Sequence, residues 1–230
     1  MTSAPASNCD AHNLPNLAGL LLDRLRREHT RVHALTNAAA QTFTTNLLLA
    51  AGGIPFLTIA PEEVSAFTGR SAALLVNLGT LDIDRRNAIP RAIATAQAQD
   101  RAWILDPVFV DASSPRLEFA CACLAKRPWV LRCNADEFRA LVGDDASPET
   151  AQAFAKAYGT VVALTGAEDL IADGIRIIRI ENGHPLMIRV TAMGCTATAL
   201  VAAFDPTRQP LVGRLRHIAD QALTSRSVPA

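Results

Sequence analysis

Cys195 follows Met193-Gly194 and opens an apolar run to Phe204 that is patterned as a helix. A glycine turn feeding a helix leaves first-turn N–H groups unbonded and turns the positive helix end outward. Such a mouth can gather an anion, including a phosphoryl group in transfer. The same positive end lowers a thiol pKa, so Cys195 is expected to exist partly as thiolate and to take up a hydroxyl proton. A buried small residue that merely starts a helix is the plainer alternative. Asp106 and Glu137 come just after two short apolar runs, Trp103–Leu105 and Trp129–Leu131. Carboxylates at neighbouring strand ends can hold hydrated Mg²⁺, which bridges phosphate oxygens and spreads their charge. The alternatives are a cap before Pro107 for Asp106 and a solvated helix face for Glu137. His33 and His184 could titrate near neutrality and are read as structural.

These side chains need a frame. Val32–Leu35, Ile54–Thr58, Ala73–Leu78, Trp103–Leu105, Trp129–Leu131 and Val161–Leu164 read as buried strands. Thr36 or Asn37 caps a helix through Ala51 that stops at Gly52-Gly53. Pro61-Glu62-Glu63 opens a short helix, and Asp82 begins one to about Gln99 that Pro90 kinks or divides. Asn134–Val142, Pro148–Tyr158 and Gly194–Phe204 are the remaining helices before an amphipathic one at about Leu211 to Leu223, beyond Pro206 and Pro210. Strand–helix alternation with short links predicts an α/β fold, a mostly parallel sheet with helices on both faces. Leu170–Ile180, turning at Asp173-Gly174, reads as an antiparallel hairpin at one edge. Ligands of such sheets bind beyond the carboxyl ends of the strands. The groups gathered there are Thr36-Asn37, Asn77, Gly79-Thr80, Asp106-Pro107, Arg132-Cys133-Asn134, Thr165-Gly166 and the stretch before Cys195.

Length and charge narrow the function classes. At 230 residues, with a hydrophobic share of 50 %, the chain suits one α/β domain over 1–230, residues 1–15 forming a flexible start. Twenty-two basic and twenty-two acidic residues cancel, so no long-range field draws nucleic acid or an anionic membrane. The five cysteines, Cys9, Cys121, Cys123, Cys133 and Cys195, match no zinc spacing. Apart from Cys195 they read as small core residues kept reduced. Met1–Pro15 lacks the features of a secretory signal, and no apolar run approaches the ~20 residues of a membrane span, so a cytoplasmic location is expected.

In order along the chain stand His33-Ala-Leu-Thr36-Asn37, Ala60-Pro-Glu-Glu-Val64, Asn77-Leu-Gly79-Thr80-Leu81 and Asp106-Pro107-Val108. Then come Arg132-Cys-Asn134-Ala-Asp-Glu137, Leu164-Thr165-Gly166, Asp173-Gly174, Glu181–Leu186 and Val190-Thr191-Ala192-Met193-Gly194-Cys195. From about Leu21 to Phe204 this series resembles the hydroxyethylthiazole kinase family, one branch of the ribokinase-like fold. The resemblance implies ATP-dependent phosphorylation of the hydroxyl of 4-methyl-5-(2-hydroxyethyl)thiazole for thiamine synthesis, with Mg²⁺ as cofactor and ATP as co-substrate. It implies Cys195 and Gly194 as the catalytic pair, Asp106 and Glu137 as metal ligands, and Arg132, Asn134, Thr165 and Gly166 as ATP contacts. Asn37, Gln41 and Ala192 would bind substrate, with Thr42 beside them. It also implies a homo-oligomer, a trimer with sites at subunit boundaries.

The sequence departs from the family pattern near the site. Ala192 stands where the family has the first glycine of its Gly-x-Gly-Cys turn; if that position needs φ > 0, alanine costs about 1–2 kcal/mol. Gln41-Thr42 replaces Met-Asn, Phe109-Val110-Asp111 replaces a glycine-containing loop and could narrow the pocket entry, and Cys133 replaces a glycine. The segment between Gly143 and Pro148 is short, and fewer helices are expected beyond Phe204. Three readings follow: a thiazole-alcohol kinase, a kinase for another small alcohol, and a binding protein that no longer turns over.

Overall fold

β4 (Ala102–Asp106), buried along its whole length, lies at the centre of an eight-stranded sheet whose other strands extend from it to both edges. They are β1 (Arg31–Leu35), β2 (Ile54–Phe56), β3 (Ala73–Asn77), β5 (Val130–Cys133), β6 (Val161–Leu164), β7 (Asp169–Ala172) and β8 (Ile177–Ile180). The order is β2-β1-β3-β4-β5-β6-β7-β8, parallel from β2 to β6 and antiparallel at β7 and β8. This computed structural model describes residues 14–204, so Cys9, Pro206, Pro210 and the expected helix at 211–223 lie outside the described residues.

Helices cover both faces, as strand–helix alternation requires. On one face α1 (Leu14–Glu28), α2 (Gln41–Ala51) and α8 (Met193–Phe204) pack with Val32, Ala34, Leu75 and Ile104. On the other, α3 (Val64–Gly69), α4 (Ile83–Ala98), α5 (Ser114–Leu124), α6 (Ala135–Val142) and α7 (Pro148–Tyr158) pack with Leu35, Leu74, Val76, Leu105 and Leu131. Alternate residues of β1, β3 and β4 thus feed the two cores, the period-2 rule applied to a doubly covered sheet. The hairpin edge is as expected: Asp173 Oδ1 accepts the N–H groups of Ile175 and Arg176, and Gly174 takes φ +85°.

Several boundaries differ from expectation. α1 was not anticipated, and it begins at Leu14, inside the segment assigned to a flexible start. Leu17 and Leu25 are its buried face, among arginines that mask the stripe. α5 was also missed, although Pro115 in its first turn and Leu117, Ala120 and Leu124 at helical spacing mark it. α2 starts at Gln41, not at the expected cap, because Asn37 closes a turn onto Ala40 first. Residues 61–63 form a turn, and α3 begins only at Val64. α4 stays one helix through Pro90. The missing N–H costs one bond, and burial of Ala88, Ile89, Ala92, Ile93 and Ala96 on that helix offsets it.

Candidate active site

Asn77 and Asp106 end β3 and β4 side by side in the parallel register. Asp106 is fully buried; its Oδ2 accepts from Asn77 Nδ2 at 2.8 Å and from the Thr198 hydroxyl at 2.9 Å. Its Oδ1 is buried without a hydrogen-bond partner and lies 3.6 Å from Arg132 Nη1. Burial pushes the Asp106 carboxyl above the usual carboxylate range, opposed chiefly by the Arg132 charge.

Arg132 points from β5 onto the start of α8. Its Nη2 donates to Thr165 Oγ1 at 2.5 Å, and its Nε is buried without an acceptor. A Cβ on Gly194 would come within 2.6 Å of the guanidinium, so a side chain there would displace the arginine head from the helix mouth. The first-turn amides of Gly194 and Cys195 have no intrahelical acceptor. Beside them Ala192 adopts φ +62°, the left-handed conformation for which the family's glycine is suited.

Cys195 is half-buried, and its sulfur accepts from Asn37 Nδ2 at 3.1 Å. The expected fall in its pKa is not found. Burial pushes the thiol above its ordinary value, the Asp106 charge adds to this, and Asn77, Asn37 and Arg132 only partly oppose it. At neutral pH the resting group is a thiol, because desolvation outweighs the helix end.

Glu137 holds both its oxygens in place. Oε2 accepts Asn134 N–H at 2.9 Å and Oε1 accepts Phe109 N–H at 3.1 Å, while Asn134 Oδ1 caps Glu137 N–H in return. The residue is 4 % exposed, and burial pushes its carboxyl above the usual range, with the Asp106 charge nearby. Glu137 is therefore not on a solvated face. Phe109 takes φ +61° and is 63 % exposed, so its ring stands in solvent beside Glu137 and does not fill the site.

Not every expected residue reaches the centre in the expected way. Asn134 spends its side-chain oxygen on the cap of α6, and Gly166 N–H already donates to Asp169. Thr165 anchors Arg132. Gln41, half-buried at the start of α2, makes no side-chain hydrogen bond among the described residues, and Thr42 is exposed. His33 is structural, as expected: with Nε2 donating to the Thr58 carbonyl, its Nδ1 accepts from Thr68 Oγ1. Cys123 and Cys133 are buried, whereas Cys121 is exposed. From the sequence, Asn77 and Gly79 stand at the ligand-binding edge with no assigned role, and Thr198 is not singled out. Asn77 was visible at a strand end, and Thr198 as a polar residue on the buried side of an apolar helix.

Among the described residues no group of three or more His, Cys, Asp or Glu side chains could cage a metal ion, and no helix is long and apolar enough to cross a membrane. Two carboxylates, one with an unpartnered buried oxygen, still fit Mg²⁺, which takes one or two protein acids and completes its shell with water and phosphate.

Residues 22–215 match the family described as "HK: Hydroxyethylthiazole kinase family". The chain is 40 % identical over 200 residues to the hydroxyethylthiazole kinase of Roseobacter denitrificans, covering 81 % of this chain and 78 % of that protein. It is 42 % identical over 205 residues to that of Cereibacter sphaeroides strain ATCC 17023, covering 84 % and 78 %. The solved hydroxyethylthiazole kinase protein of Pyrococcus horikoshii OT3 superposes with a TM-score of 0.80 at 33 % identity, covering 86 % of this chain and 79 % of that one. Staphylococcus aureus pyridoxal kinase with bound pyridoxal, at 15 % identity, TM-score 0.58 and coverage of 79 % and 82 %, shares the fold alone. With its ordered motifs converging at one edge of a ribokinase-like sheet, the chain belongs to the hydroxyethylthiazole kinase family.

Proposed function

We propose that the protein transfers the γ-phosphoryl group of ATP to the hydroxyl of 4-methyl-5-(2-hydroxyethyl)thiazole, in thiamine synthesis or salvage. The observation that carries this reading is the meeting of Arg132, Asp106 and Cys195 at the mouth of α8, with two helix amides free. Phosphoryl transfer passes through a loose transition state, so positioning and charge neutralisation matter more than covalent chemistry. Arg132 and the amides of Gly194 and Cys195 stabilise the moving group. Cys195 accepts the hydroxyl proton only in its thiolate form, becoming the thiol, and this supplies a modest share of the barrier. Asp106 and Glu137 would hold Mg²⁺, which supplies charge to the phosphate oxygens. Thr165 acts by steering Arg132, and Asn134 by steering Glu137. Gln41 and Ala192 face the substrate in this reading.

One domain carries the reaction, and a homotrimer is the assembly the family likeness favours. The cytoplasm, where ATP is present and thiols stay reduced, suits it. The test is ADP release from purified protein given Mg-ATP and hydroxyethylthiazole, with hydroxymethylpyrimidine and other small alcohols in parallel. Turnover with the thiazole is expected. Turnover only with another alcohol would move the substrate, and ligand binding without any turnover would sink the kinase assignment.

A further inference from the structure

An asparagine side chain can present either its oxygen or its NH₂ in nearly the same space. Asn37 and Asn77 both lie between Cys195 and Asp106, so their orientation decides what the sulfur meets. Two backbone groups remove the freedom. Ala40 N–H donates to Asn37 Oδ1 at 2.9 Å, and Gly79 N–H donates to Asn77 Oδ1 at 3.0 Å. A backbone N–H can only donate, so both oxygens are committed whatever the charge on Asp106. The NH₂ of Asn37 is then forced toward Asn77 Oδ1 at 3.1 Å and Cys195 Sγ at 3.1 Å. The NH₂ of Asn77 is likewise forced onto Asp106 Oδ2 at 2.8 Å. Gly79 belongs to this lock, because a Cβ there would come within 2.6 Å of Asn37 Cβ.

From this geometry we infer that Asn37 and Asn77 are positioning residues that hold the Cys195 sulfur as a hydrogen-bond acceptor and turn its proton toward the open side of the site. Its bearing on turnover rests on the phosphoryl-transfer reading above. A donated hydrogen bond favours thiolate over thiol. Asn77 and Asn37 therefore act with Arg132 on β5 against burial and the Asp106 carboxylate on β4; Arg132 and Asp106 are the charged groups that bear on the thiol. Asn37, expected as a substrate contact, has both its side-chain polar atoms engaged within the protein.

The experiment is alkylation of Cys195 by iodoacetamide as a function of pH, read by peptide mass in a Cys121→Ser background because Cys121 is exposed. Wild type is compared with Asn37→Ala, which deletes the donor, and Asn37→Asp, which replaces it with an acceptor. The midpoint should rise in both, by about one pH unit or more in Asn37→Asp. The alkaline limb of the phosphorylation rate should move with it. A merely structural role would change melting temperature and leave the midpoint in place. An unmoved midpoint in either variant that still melts cooperatively overturns the inference. A shifted midpoint in a protein that phosphorylates no alcohol upholds the hydrogen-bond assignment and sinks the kinase reading instead.

Discussion

The chemistry of this site turns on a thiol that its surroundings keep protonated. Burial raises Cys195, so a step that needs thiolate should speed up as pH rises beyond 9.0, the ordinary thiol value. The pH profile of kcat/KM is expected to climb on its alkaline side, and Cys195→Ala should lose that limb and about 10²-fold in turnover. Unchanged turnover in Cys195→Ala would remove the base and leave the helix mouth as the source of catalysis. Ala192 is the second residue to test. Its φ of +62° strains an L-residue where glycine would not be strained. Ala192→Gly should stabilise the fold by about 1 kcal/mol in denaturant unfolding, the cost of alanine in that region. If the anion turn is under strain, kcat should rise in the same variant, whereas a fall in both quantities would show that the turn relies on the methyl.

Among the elements, α6 has the clearest coupling between stability and function. Its capping box joins Asn134 and Glu137 in both directions, so the group that starts the helix also aims the acid. Asn134→Ala should cost about 1 kcal/mol in thermal or denaturant unfolding, a usual loss for a cap. It should also raise KM for Mg-ATP while leaving KM for the alcohol alone, because Glu137 loses its restraint while Gln41 and Ala192, which face the alcohol in the proposed reading, are untouched. A drop in stability with unaltered nucleotide kinetics would limit Asn134 to capping and take Glu137 out of the metal site. α8 is a contrasting element. It contributes two buried threonines, Thr196 and Thr198, to an otherwise apolar inner face; Thr196 pairs with the Thr44 hydroxyl and Thr198 donates to Asp106 Oδ2.

For the whole molecule, His33 links β1 to the segments after β2 and in α3, and burial holds its pKa below the ordinary 6.5. The unfolded chain therefore binds a proton that the folded one refuses. The contribution to stability is full above pH 6.5 and is lost as pH falls from there toward the folded pKa, by at most about 1.4 kcal/mol per pH unit. Asp106 and Glu137, both raised, work in the opposite sense, so the comparison with a variant isolates the histidine. His33→Gln should be less stable at neutral pH and show a flatter acid limb in urea unfolding. An acid limb of equal slope in both proteins would rule out His33 as its source.

The sequence by itself determined the strands, the hairpin edge and most helices, because turn residues and period-2 or period-3.6 burial are local properties. Val161–Leu164 and Pro148–Tyr158 coincide with β6 and α7 for that reason. It also brought Asp106, Arg132, Glu137 and Cys195 to one edge, since parallel strands end on the same side. Tertiary structure decided what those residues do there. Whether Asn37 faces a ligand or a sulfur depends on Ala40, Gly79 and Asn77, which only the fold assembles. Whether Cys195 is thiol or thiolate depends on desolvation and on Asp106, set by residues far apart in the chain. Electrostatics and hydrogen-bond polarity are sums over neighbours in space, so adjacency along the chain could not supply them.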